Sequence, residues 1–148
     1  MAWDAGTIST LLSTVISTFI ATIISVYITK RRIRNQDELK LYDEILQMNL
    51  LSIQYPYFEN PDFCSSYSDS FSTDEFLRYD SYCCIVYNLL EKVWRHFNGD
   101  TNKINDFLGS KEIIKQHRQW WRSKRNIADN VEGYPLDFID YIDSHSPS

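Results

Sequence analysis

Lys111, Lys115, Arg118, Arg122 and Arg125 step along the chain by four, three, four and three residues. On an α-helix that spacing gathers all five within about 40° either side of one line, with Ile113, Ile114, His117, Trp120 and Trp121 opposite. The chemistry such a strip can do is anion capture, because guanidinium forks match phosphate oxygens and aligned cations raise a local positive potential. Setting aside Asp4 and the cluster Lys30, Arg31, Arg32 and Arg34, the chain carries 11 Lys and Arg against 19 Asp and Glu, a net charge of −8. Five aligned cations therefore stand out against acidic surroundings. Two readings follow. The strip is an anion site, with Trp120 or Trp121 available to stack a base if exposed. Alternatively it is a solvated face, or pairs with acids elsewhere, each exposed pair contributing at most about 1 kcal/mol.

Signatures of catalysis are absent by residue type and spacing. The four glycines stand at 6, 99, 109 and 133, so no glycine-rich phosphate loop can form. His96, His117 and His145 lack the spacing of helical metal ligands, and no Cys or His cluster has zinc-site spacing, so no metal is expected and each histidine reads as core or surface. Cys64 lies in a serine-rich stretch read as a loop, with no histidine near it in sequence. Pro61-Asp62 opens like a metal-dependent nuclease motif, but no Glu-x-Lys follows. No enzyme activity, catalytic residue or cofactor is expected. Cys64, Cys83 and Cys84 are read as free thiols of a reducing compartment.

The elements that must position the strip begin at a membrane. Ala5 to Thr29 holds no charge and exceeds the roughly 20 residues that cross a bilayer. Lys30, Arg31, Arg32 and Arg34 follow it, so the positive-inside rule predicts a short N-terminus outside and the remainder in the cytoplasm, in an inner, cytoplasmic membrane. Met1 to Asp4 lacks the basic leading region of a cleaved signal, so the span is expected to stay attached. Ser9, Ser13, Ser17, Ala21 and Ser25 step by four beside Gly6, Thr10, Thr14, Thr18 and Thr22, a strip of small residues that lets helices approach closely. A homo-oligomer packed through Ser9, Ser13, Ser17, Thr10, Thr14 and Thr18 is expected; the alternatives are hydroxyls that bond their own helix or line a narrow channel.

The expected fold class is all-α: an N-terminal transmembrane helix with its basic flank over 1–34, and a cytoplasmic helical domain over 35–148. No proline or glycine occurs from Thr7 to Tyr55, so the span continues as a stalk, whose Leu39, Tyr42, Leu46, Leu50 and Ile53 form an apolar face that must pack on something. Pro56 and Pro61 end it. Ser72 to Glu75 has capping-box spacing and opens a central helix carrying Phe76, Tyr79, Cys83, Val86, Leu90, Val93 and Phe97, stopped by Asn98-Gly99. A short helix over Thr101 to Leu108 closes on Gly109, Ser110 caps the strip-bearing helix, and a last segment turns Leu136, Ile139 and Ile142 inward and Asp137, Asp140 and Asp143 outward.

Pro56-Tyr57-Phe58 after the stalk, Tyr82 with Tyr87-Asn88, Trp94 with His96, Trp120-Trp121, and Tyr134-Pro135 with Phe138 and Tyr141 form a pattern that resembles small bacterial single-span proteins with a cytoplasmic helical domain of unknown function. In plan the chain is also similar to membrane-anchored effectors of bacterial antiviral systems, such as those of type III CRISPR that sense cyclic oligoadenylates. That likeness implies a non-enzymatic sensor-effector whose partners are membrane lipid, further copies of itself and a nucleotide second messenger, with no DNA. The alternative is a membrane-tethered scaffold that holds a protein partner through its aromatic surface.

Overall fold

The computed structural model describes residues 5–67, 74–123, 131 and 133–146, and only the backbone of residues 5 and 7–12. Among these every regular element is helical: α1 (Ala5–Gln54), a 3-10 turn (Pro56–Glu59), α2 (Pro61–Ser65), α3 (Asp74–His96), α4 (Thr101–Leu108), α5 (Ser110–Trp121) and α6 (Leu136–Ser144). The all-α expectation holds. The described residues form two compact units, divided after Lys40.

The first unit is the N-terminal part of α1. It is long and apolar enough, by length and composition, to cross a membrane, and its apolar window is wholly unburied. Its hydroxyls bond inward along the helix: Ser17 donates to the Ser13 carbonyl, Thr18 to Thr14 and Thr22 to Thr18, each at 2.8 Å. That is the local alternative to bonding across a helix pair.

The second unit begins on the last turns of α1. The apolar face expected to pack on something is uncovered here: Tyr42, Leu46, Leu50 and Ile53 are exposed, Ile53 at 74%, as is Leu39 in the first unit. The buried side carries Leu41 and Met48, with Ile45 and Leu51 packed against the core. The stretch is apolar on two stripes, and the stripe offset by two residues is the one that finds the bundle. Proline ends α1, because the residue before a proline avoids helical ψ; Tyr55 sits at φ −129°, ψ 75°. Pro56 and Pro61 then occupy the first turns of the next two helices, where a missing N–H costs nothing. The Asn60 side chain caps α2 by accepting from the N–H groups of Asp62 and Phe63.

The central helix α3 buries Phe76, Tyr79, Cys83, Val86, Leu90 and Val93 as expected, with Phe97 half-buried. The capping-box positions Ser72 and Thr73 lie outside the described residues. Asn98 and Gly99 turn the chain with φ of 52° and 75°. Gly109, at φ 65°, closes α4 with its N–H on the Asn105 carbonyl at 2.7 Å. Gly109 also takes the cap position of α5, displacing Ser110 from the predicted role. Ser110 is the first helical residue, buried, with its hydroxyl 2.7 Å from that of Tyr141.

α5 packs against α2, α3 and α4. Tyr87 of α3 lies between Trp120 and Trp121, ring centroids 5.2 and 4.7 Å away. The indole N–H of Trp120 donates to Asp80 Oδ1 at 2.6 Å, and that of Trp121 to Asp143 Oδ1 at 2.9 Å. In α6 the inward set is Phe138, Tyr141 and Ile142, with Ile139 half-buried, whereas Leu136 is 77% exposed, a correction to the expected face.

Asp80 Oδ1 also accepts from the Tyr67 hydroxyl, so one carboxylate serves a loop and a buried tryptophan. Replacing Asp80 by Ala strands the Trp120 N–H and is expected to cost about 1–3 kcal/mol, read as a lowered urea midpoint of the detergent-solubilised chain.

Candidate functional site

Of the predicted cations, Lys111, Lys115 and Arg118 lie on α5 and Arg122 stands at its C-cap. Lys111, Lys115 and Arg122 are exposed and Arg118 is half-buried, while Ile114, His117, Trp120 and Trp121 are buried on the other side. Arg125 lies outside the described residues. Arg122 is committed to the C-terminal segment, donating to the carbonyl of Ser146. The ion pairs among the described residues are Lys40 with Asp37, Lys92 with Glu44, Arg95 with Glu91 and Lys103 with Asp100, and none involves Lys111 or Lys115. Beside Lys115 and Arg118 a shallow cleft of about 340 Å³ is walled by Pro61, Ser65, Glu112, Gln116 and Gln119. Trp120 and Trp121 are 0% and 4% exposed, so neither offers a face to a base.

Of the predicted span contacts, Ser13, Thr14, Ser17 and Thr18 are exposed along α1. Ser9 and Thr10 lie on the same helix, with side chains outside the description.

The structure assembles a second constellation that no sequence spacing announces. Glu59, at the end of the 3-10 turn, accepts from Tyr82 of α3 at 2.5 Å and Ser52 of α1 at 2.9 Å on one oxygen, and from Gln116 of α5 at 2.8 Å on the other. Burial works to raise this carboxyl, but the three donors outweigh it and hold Glu59 below the usual carboxylate range. Beside it, His117 is buried, with Nδ1 2.9 Å from the Tyr79 hydroxyl and 3.9 Å from the Cys83 sulfur, the donor depending on the imidazole tautomer. Burial pushes His117 down to about 4, with the Glu59 carboxylate pulling weakly the other way.

Ser52, Glu59, Tyr82 and His117 border a cavity of about 480 Å³, whose wall also includes Met48, Val86, Phe107 and Ile113. From sequence His117 was read as core or surface, and the structure buries it; Tyr79 and Cys83 were read as residues of the central helix, and no signal pointed to Glu59. Cys64 proves to sit in α2 rather than a loop, fully buried, its thiol donating to the Phe58 carbonyl at 3.1 Å. Burial raises both the Cys64 and Cys83 thiols, so neither is an activated nucleophile. Among the described residues no group of three His, Cys, Asp or Glu could hold a metal.

Compared with protein-family models, with curated proteins and with solved structures, the chain matches none.

Because His117 takes up a proton in the unfolded chain near pH 6.5 but in the folded one only near 4, stability is full above about pH 6.5 and falls as pH drops toward 4. Glu59, lowered in the folded state, adds a loss of the same sign below its ordinary range. The His117 part is on the order of 3 kcal/mol, and a His117→Gln chain is expected to show a flatter urea-midpoint profile between pH 6.5 and 4.

Proposed function

We propose that the chain is a non-enzymatic single-span membrane sensor-effector, whose helical domain captures a phosphate-bearing ligand on the outer face of α5. The observation that carries the reading is the exposure of Lys111 and Lys115, without acid partners among the described residues, beside the cleft at Lys115 and Arg118. Lys111 and Lys115 form no ion pair among the described residues, although Glu112 lines the same cleft, and two such cations in a region of net charge −8 give a phosphate a place to bind. The basic cluster after the span supports an inner-membrane placement with the N-terminus outside and the domain cytoplasmic. The small-residue strip supports a homo-oligomer whose packing responds to ligand. The architectural likeness to antiviral effectors makes cyclic oligoadenylates the first ligand class to test, and bacterial antiviral defence the proposed setting.

A second reading, a membrane-tethered scaffold for a protein partner, is favoured by the exposed Tyr42, Leu46, Leu50 and Ile53, rather than by the aromatic side chains, most of which are inside.

Lys111→Glu with Lys115→Glu separates the two, because neither side chain supports the core. A sensor is expected to show a cyclic-oligoadenylate-dependent rise in thermal midpoint that weakens about tenfold or more in affinity on double reversal. A scaffold shows no such rise, and it keeps its partner after the reversal. Absence of any shift with the unmodified chain removes this ligand class.

A further inference from the structure

The cavity behind α5 has the opposite character to the helix's outer face. Its one carboxylate, Glu59, reaches solvent but is fixed in place by donors from three separate helices, Ser52 of α1, Tyr82 of α3 and Gln116 of α5. Each donor is a neutral group, so the bonds orient the charge without cancelling it. No lysine or arginine forms an ion pair with Glu59 among the described residues, and His117, neutral at pH 7, supplies no positive charge. Beyond Glu59 the wall is mixed, apolar Met48, Val86, Phe107 and Ile113 beside polar Asn49 and His117, around about 480 Å³, the size of a small-molecule cleft. A metal ion is a poor match, for want of further ligands. A preoriented anion at the edge of a partly apolar chamber matches a molecule with one cationic end and one apolar body.

We propose that this cavity binds a small organic ammonium ion, its N–H groups donating to Glu59 and its apolar body lying against Met48, Phe107 and Ile113. The two ends contribute by different physics. The ammonium forms a charge-assisted hydrogen bond to a carboxylate that needs no reorganisation, and the body removes apolar wall from water. The site stands apart from the cation strip, so it holds or fails independently of the anion-sensing reading.

The probe is 2-phenylethylammonium, titrated calorimetrically into the full chain in nonionic detergent, with 2-phenylethanol as the uncharged control. The amine is expected to bind at least about tenfold more tightly than the alcohol, as one charge-assisted bond implies. Glu59→Gln should abolish that preference, while Glu112→Gln, on the opposite cleft, leaves it intact. Asn49→Trp fills the chamber from an exposed position of α1 and should block the amine even if Glu59→Gln fails to fold. Equal binding of amine and alcohol, or amine binding unchanged in Asn49→Trp, overturns the proposal.

Discussion

The second unit depends on α5 having two unlike faces. Its inner face is pinned by polar bonds as well as by packing: Gln116 to Glu59, His117 with Tyr79, Trp120 to Asp80 and Trp121 to Asp143. These reach the 3-10 turn, α3 and α6, so one twelve-residue helix sets the register of most of the bundle. Apolar contact alone allows a helix to slide or rotate by small amounts. Indole, amide and imidazole groups that must each find a partner do not, because a buried polar group left unpaired costs more than its bond contributes. The same anchoring fixes which side chains of α5 face outward, and hence which cations share a surface.

Much of this was legible wherever a local signal decided the outcome. Gly109, which must adopt a positive φ, marks the end of α4 at Leu108, and the three-and-four spacing of Phe76 to Val93 names the inner face of α3. The last turns of α1 were not legible, since Leu39-Tyr42-Leu46-Leu50-Ile53 and Leu41-Ile45-Met48-Leu51 are both apolar stripes. Periodicity detects a stripe but does not say which of two meets the bundle. In α6 the reading of Leu136, Ile139 and Ile142 took aliphatic residues as the guide, whereas the aromatic Phe138 and Tyr141 fill the core. That Lys111, Lys115 and Arg118 share one helix was legible because their spacing is helical. The Glu59 network was not, because its partners lie 23 and 57 residues away and no pattern in sequence ties a glutamate to a tyrosine and a glutamine at such distances.

Gln116 links the cleft it lines to the carboxylate of the other. Its amide donates to Glu59 on the cavity side, and the same residue walls the cleft beside Lys115 and Arg118. The Glu59 carboxylate and the Lys115 ammonium thus lie on either side of Gln116, kept distinct by the direction in which each side chain leaves its element. A net charge taken over the whole domain describes neither.

The hydroxyls of Ser17, Thr18 and Thr22 are already bonded to the carbonyls four residues earlier. A segment that satisfies its own polar atoms can enter an oily solvent alone, with no second helix needed to shelter them. Association between such segments is then governed by how closely small side chains let two backbones fit, a weak and reversible attraction. The bonds of Ser17, Thr18 and Thr22 are therefore compatible with a dispersed single chain as well as with an assembly, and exchange between the two would break none of them.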